Sequence, residues 1–317
     1  MDAGRKTEGL PHGGTAAGGS GHPSKLIVAA CYFAIYFIWG STYLAISVSI
    51  KTAPILMASG IRFLCAGIIL VTASAFMGVG KPSRENVVIA AKSGALAFFA
   101  SFGFLSWAET ILPSSTAALI ISLEPAWFVL FDWLFFRGPK PSRRIIVSQA
   151  VGILGCAVLV LGGGSSASEG ISVTRYLAAA GAVAVSGFSW VYGALLASKS
   201  RKSHPSSAMA SGLQMTCGGV ILLAVSACVG DFARVGGISA ESWLAILYLI
   251  VFGSIVAYSA YMALLRSQPS SRVSTHAFVN PIVAVALGAT LAGESITAYT
   301  AVAAFLIVIS VVGIIRQ

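Results

Sequence analysis

A glutamate and a proline stand side by side, as Glu124 and Pro125, inside an otherwise apolar run, PSSTAALIISLEP (residues 113–125). A carboxylate among aliphatic side chains can carry a proton or hold a cation. Proline has no backbone N–H, so Pro125 deprives the carbonyl of Ile121 of its helical donor. Arg62 is a second charge in a second apolar run. Counted at ~1.5 Å per residue from one common side, Arg62 lies ~12 Å deep and Glu124 ~15 Å. At such a depth in a bilayer a charge costs about 3 kcal/mol unless it meets a partner or water. The matched depths lead to the expectation that Arg62 and Glu124 face each other across a wet interior, as an ion pair or as joint ligands for a zwitterionic solute.

The order of a polar residue followed by proline recurs at Asn280 and Pro281, where Pro281 frees the carbonyl of Ala277. Freed carbonyls are tolerated in lipid only beside protein, hydroxyls or a water-filled cavity. The two prolines therefore read as helix breaks that line a cavity, with a simple kink as the plainer alternative. His276 lies one helical turn before Asn280, placed to relay a proton or to donate to a solute carboxylate, or else to bond a neighbouring helix. Tyr32, Tyr36, Trp39 and Tyr43 follow steps of four, three and four, which puts them on one helix face. Tyr32 and Tyr43 fit interfacial belts, whereas Tyr36 and Trp39 lie too deep for one. These two, with Trp190, are either packing or aromatic walls for apolar or cationic parts of a substrate.

The elements that must position these residues are membrane spans. Of 317 residues 57% are hydrophobic and 9% charged, and the mean hydropathy is +0.89, which excludes a soluble enzyme. Apolar runs at 26–48, 54–78, 87–107, 114–136, 145–163, 175–197, 208–229, 242–264, 273–292 and 297–315 predict an all-α fold of ten transmembrane helices. The first run is too long for a signal-peptide core and is kept as a span. Residues 1–24, rich in Gly, Ser and Pro, read as a disordered tail in which His12 and His22 are solvated. The net charge of +10 does not point to nucleic acid. Fifteen Lys and Arg fall on the tail, the even-numbered loops and the C-terminus, against three (Lys51, Arg175 and Arg234) on the other side. That bias places both termini in the cytoplasm. Lys92 and Asp132 lie near cytoplasmic span ends, and Trp107 and Glu109 read as markers of the outer interface. The five cysteines all sit in spans without a CxxC pair and behave as small apolar residues. No cofactor motif or metal cluster is legible, and LGGGSS (161–166) lacks the strand and the GK[ST] of a phosphate loop.

A shift near 150 residues aligns MASGIRFLCAGIILVTASA (57–75) with MASGLQMTCGGVILLAVSA (209–227), identical at ten of nineteen positions. It also brings FIW (37–39) onto FSW (188–190) and PSSTAALIISLEP onto PSSRVSTHAFVNP (269–281). Three matches in one order mean a duplicated unit. With five spans in each, the copies face opposite ways: 25–164 is the first and 165–317 the second. Inverted copies let a midplane site open to either side in turn. Gln214 and Asn280 are then the neutral counterparts of Arg62 and Glu124.

These residues resemble the drug/metabolite transporter superfamily, in its ten-helix form built from two EamA repeats. The resemblance rests on FIWGSTY (37–43), GIRF (60–63), SLEP (122–125) leading into WLFF (133–136), and the basic loop that follows, and it covers nearly all of the chain after residue 25. It implies a carrier of the bacterial inner membrane, commonly an exporter of amino acids, other metabolites or drugs. It also implies a central cavity lined by spans one to four and six to nine, with spans five and ten to one side. The departure is FVNP (278–281), where Asn280 replaces the glutamate of the first half, so no carboxylate is shared by both repeats. The expectation is a secondary transporter rather than an enzyme, with the lipid bilayer and a small-molecule substrate as partners. The substrate would meet Tyr36, Trp39, Tyr43, Arg62, Glu124, Trp190, Gln214, His276 and Asn280, with Glu124 as coupling candidate. The alternatives are an intramembrane enzyme, which would use Glu124 and His276 as acid and base, or a channel or receptor. Gly152 and Gly155 suggest close helix packing, or a homodimer through spans five and ten.

Overall fold

Serine starts many of the helices. Ser24, Ser83, Ser172, Ser206 and Ser239 each accept a hydrogen bond from a backbone N–H of the turn that follows, supplying an acceptor to donors that the helix leaves free. In the computed structural model of the protein, residues 24–137, 140–164, 171–200, 204, 206–268, 273, 276–293 and 295–315 are described. The expected tail up to residue 23 with His12 and His22, the loop serines Ser165 and Ser166, and the loop charges Arg201, Lys202, Arg272 and Arg316 lie outside them.

No strand occurs among the described residues. The first four helices are α1 (Lys25–Ser49), α2 (Ile55–Phe76), α3 (Arg84–Ala108) and α4 (Ser114–Phe135). They are followed by α5 (Arg143–Gly164), α6 (Val173–Lys199) and α7 (Ser207–Cys228). Next comes α8, which runs as Ala240–Tyr248, Leu249–Val256 and Ala257–Ser267. The last are α9 (His276–Leu291) and α10 (Ala298–Ile315). Seven helical stretches, in α1–α4 and α6–α8, are long and apolar enough to cross a membrane, while Val279–Leu291 and Ala298–Ser310 are apolar but shorter. Large apolar side chains such as Ile68, Ile153, Leu154 and Phe305 are exposed on the outer faces, as helices sheathed by lipid require. The molecule is a multi-pass membrane protein.

Among the described residues three helices depart from α-helical bonding without a break. Each contains a π-helical stretch, at Ala34–Ile38 in α1, Ala95–Ala100 in α3 and Leu249–Val256 in α8. Such stretches are rare and collect at functional sites. In α4 the helix stops at Ile121 and restarts at Glu124, with Pro125 in its new first turn. Pro281 behaves differently: α9 passes through it without interruption. The expected break at Pro281 is therefore corrected to a proline inside a continuous helix, which a membrane helix tolerates where neighbouring groups or a cavity meet the freed carbonyl.

The most extensive contacts join α2 to α7, followed by α5 to α10. Across the first pair Gly60 faces Leu223, Leu64 faces Gly219, Gly67 faces Thr216 and Val71 faces Gly212. Residue numbers climb on one helix as they fall on the other, so the pair is antiparallel. The contacts are also reciprocal. Gly60 aligns with Gly212 in the sequence duplication and Gly67 with Gly219, and each pair takes the same place on opposite partners. Glycine is required because the backbones touch: a Cβ on Gly67 would lie 2.5 Å from the main-chain nitrogen of Thr216, and one on Gly219 2.5 Å from that of Leu64. Small residues let membrane helices approach this closely. Gly152 and Gly155 pack in a similar way against Ser310 and Ile307 of α10. The small-residue face of α5 is covered from within the chain, so it offers no support for the expected homodimer through α5 and α10.

Replacing Gly67 by Ala lowers the thermal midpoint in detergent, by the ~1–3 kcal/mol typical of overpacking. Gly80→Ala, where nothing lies within 4 Å of the new Cβ, leaves the midpoint in place. Equal midpoints for the two variants would contradict the close-contact reading.

Candidate functional site

Three aromatic or charged side chains that stand far apart in sequence converge because of where the irregular backbone falls. Trp39 follows the π-helical stretch of α1, and its indole Nε1–H donates to the carbonyl of Gly253 at 3.1 Å, inside the π-helical stretch of α8. One residue further, Ser254 Oγ accepts from Arg62 Nε at 2.9 Å. Glu124 opens the second half of α4, with Ile121 and Ser122 just before it in or beside the break. Pro125 cannot close a hydrogen bond onto Ile121, and both Ile121 and Ser122 border the same space.

That space is a cavity of about 110 Å³, room for several waters at the ~10–15 Å³ each requires. Its walls come from α1–α4 and α6–α9, and among the described residues α5 and α10 contribute none of them. Aromatic rings dominate. Trp39 stands 5.1 Å from Tyr261 and edge-on to His276 at 5.3 Å, while Trp190 stands 5.7 Å from Phe98 and 5.9 Å from Phe102. Tyr258 bridges the two groups at 6.5 Å from each tryptophan.

Of the residues singled out in the sequence, Trp39, Tyr43, Arg62, Glu124, Trp190, His276, Asn280 and Pro281 line this cavity. Tyr36, Gln214 and Pro125 do not. Tyr36 packs against Tyr32 at 5.6 Å, Gln214 is buried with its main chain against Gly94 of α3, and its neighbour Met215 reaches the cavity instead.

Arg62 and Glu124 reach one cavity, as their depths require, but they are not partners. The guanidinium of Arg62 lies 4.8 Å from the Phe63 ring centre and 4.9 Å from that of Phe102. The carboxylate whose charge acts on it is Glu109. Glu109, at the end of α3, is 7% exposed and so is covered by neighbouring protein. Glu124 lends its charge to the surroundings of Tyr43 and Tyr261. Its carboxylate makes no hydrogen bond or ion pair among the described residues.

Asn280 has a structural task beside its place in the wall. With its amide nitrogen turned toward α1 it donates to the carbonyls of Ile35 and Tyr36, at 2.9 and 3.0 Å, and to that of His276 at 3.2 Å. Ile35 and Tyr36 lie in the π-helical stretch of α1, where the α-helical bonding pattern is broken.

Ser254, Tyr258 and Tyr261 were not singled out in the sequence. Their steps of four and three match those of Tyr32, Tyr36 and Trp39, so the signal was present in α8 and was visible as one helix face. Phe98 and Phe102, four apart, are a second such pair.

The EamA-like transporter family matches the chain twice, over residues 26–161 and 177–316. The inner membrane transporter YedA of Escherichia coli (strain K12) is 34% identical over 281 residues, 88% of this chain and 88% of the relative. A protein of Salmonella typhimurium named "Probable amino-acid metabolite efflux pump" is 26% identical over 286 residues, 86% of this chain and 89% of the relative. One solved crystal structure superposes with a TM-score of 0.63 at 17% identity, over 90% of this chain and 96% of the other, a likeness of fold alone.

Replacing Asn280 by Leu removes the donors to Ile35 and Tyr36, at about 1–3 kcal/mol for carbonyls left buried and unmet. The thermal midpoint in detergent falls, and hydrogen exchange around Ala34–Ile38 quickens. An unchanged exchange pattern would show that this amide does not hold α1.

Proposed function

The chain belongs to the EamA-like transporter family, and from that premise we propose that it is a secondary transporter moving a small metabolite or drug-like solute outward across the bacterial inner membrane. The observation that carries the reading is a cavity enclosed between two halves whose central helices, α2 and α7, meet through reciprocal antiparallel contacts. Reciprocal contacts of this kind follow from a two-fold axis lying across the helices. That supports two inverted five-helix repeats, 25–164 and 165–317, hence ten spans, and the separate family matches to each half support the same division. Two halves so related can exchange conformations, opening the cavity first to one side and then to the other.

The positive-inside bias supports cytoplasmic termini. Outward direction draws on the relatives, one of which is named an efflux pump. Trp39, Tyr43, Arg62, Glu124, Trp190, His276 and Asn280 would border the bound solute. Tyr36 and Gln214 would support the wall from behind, and the break at Pro125 would present Glu124. Glu124 is the coupling candidate: a carboxylate at mid-depth, open to the cavity, can exchange a proton with whichever side the cavity faces.

Reconstituted into proteoliposomes, the protein exchanges a substrate against itself, and its net flux depends on pH. At saturating substrate Glu124→Gln still exchanges, and the pH dependence flattens. A variant whose flux follows pH as the native protein does removes Glu124 as the coupling group, and the absence of flux for amino acids, nucleobases and cationic drugs alike would count against a carrier.

A further inference from the structure

Resting on the transporter reading, we propose that the cavity selects an amine: a protonated amino group on a ring-sized apolar body, with no carboxylate beside it. The two charged walls are not equivalent. Arg62 would be the natural anchor for a carboxylate, since a guanidinium grips one through two parallel N–H donors. Here its Nε is taken by Ser254, and the rings of Phe63 and Phe102 stand against the guanidinium at 4.8 and 4.9 Å. The carboxylate that acts on its charge is Glu109, which is not part of the cavity wall. Part of the guanidinium's hydrogen-bonding capacity and charge is thereby taken up by the protein itself.

Glu124 is the reverse case. Its carboxylate borders the cavity, and no described residue forms a hydrogen bond or ion pair with it. Around it stand Tyr43 and Tyr261, within reach of its charge, and the ring of Trp39 lies 5.1 Å from that of Tyr261. Aromatic faces carry partial negative charge and attract ammonium groups, tryptophan most strongly. Trp39 is held in place by its bond to Gly253, so the ring need not be ordered when a ligand arrives. An ammonium at Glu124 meets one full opposite charge and several ring faces. A carboxylate in that position meets like charge and the same faces, a repulsion that sharpens selection as much as the attraction does. An amino acid carries both groups and brings the unwanted one with it. The second tryptophan wall, Trp190 with Phe98 and Phe102, supplies apolar surface for the body of the amine.

The test compares phenethylamine, phenylalanine and 3-phenylpropionate, which share one ring and differ in charge, by calorimetry on the full chain in lipid nanodiscs. Phenethylamine binds about tenfold or more tighter than phenylalanine, whose carboxylate meets the like charge of Glu124, and 3-phenylpropionate shows no saturable binding. Glu124→Gln weakens the amine by about tenfold or more, as one lost charge contact requires, and Glu124→Asp restores part of the loss. The ranking of the three probes on the native chain stands whether or not the variants fold. Phenylalanine or the acid binding as tightly as the amine, or no saturable binding of the amine, overturns the proposal. Flux of phenylalanine without the amine would leave the carrier and remove this selectivity. Amine binding with no flux of any solute would do the opposite.

Discussion

Between the two faces of a membrane there is no water to complete a hydrogen bond, so every carbonyl or charge there must be met by the chain itself or border a wet cavity. The departures from plain helix in this molecule lie where that demand is answered. In α1 the π-helical carbonyls of Ile35 and Tyr36 receive the amide of Asn280. In α8 the π-helical stretch offers the Gly253 carbonyl to Trp39 and the Ser254 hydroxyl to Arg62. In α4 the break before Pro125 leaves Ile121 and Ser122 on the cavity wall. Irregular backbone, polar side chains and cavity occur together because each makes the others tolerable.

The second constraint is distance. A cavity walled by eight helices needs those helices to draw together elsewhere, and α2 and α7 do so through Gly60, Gly67, Gly212 and Gly219. No hydrophobic force drives helices together in lipid, so contact must come from packing, and glycine gives the backbones room to touch. The reciprocity of these contacts links the duplication in the sequence to the place of the cavity, which lies beside the pair that both halves share.

Much of this was legible in the chain, and what was not has a physical cause. The helices follow from runs of about twenty apolar residues, a length that the bilayer imposes. Arg62 and Glu124 stand out because a charge at their depth is costly, whereas Ser254 is a small hydroxyl and attracts no notice until its partner is seen. Local chemistry misled in two places. Asn280–Pro281 has the same order as Glu124–Pro125, yet only Pro125 interrupts its helix. Gln214 aligns with Arg62 but packs beside Gly94, because the direction in which a helix side chain points depends on its neighbours and not on its register alone.

The central claim is a hydrated cavity at mid-membrane that opens to either side. It is tested most directly by Ile121→Cys in a chain whose own five cysteines are replaced, treated with a hydrophilic thiol reagent in right-side-out and in inverted vesicles. The account predicts modification in both orientations, slowed in both by a bound solute. Modification in one orientation only, or in neither, would contradict it.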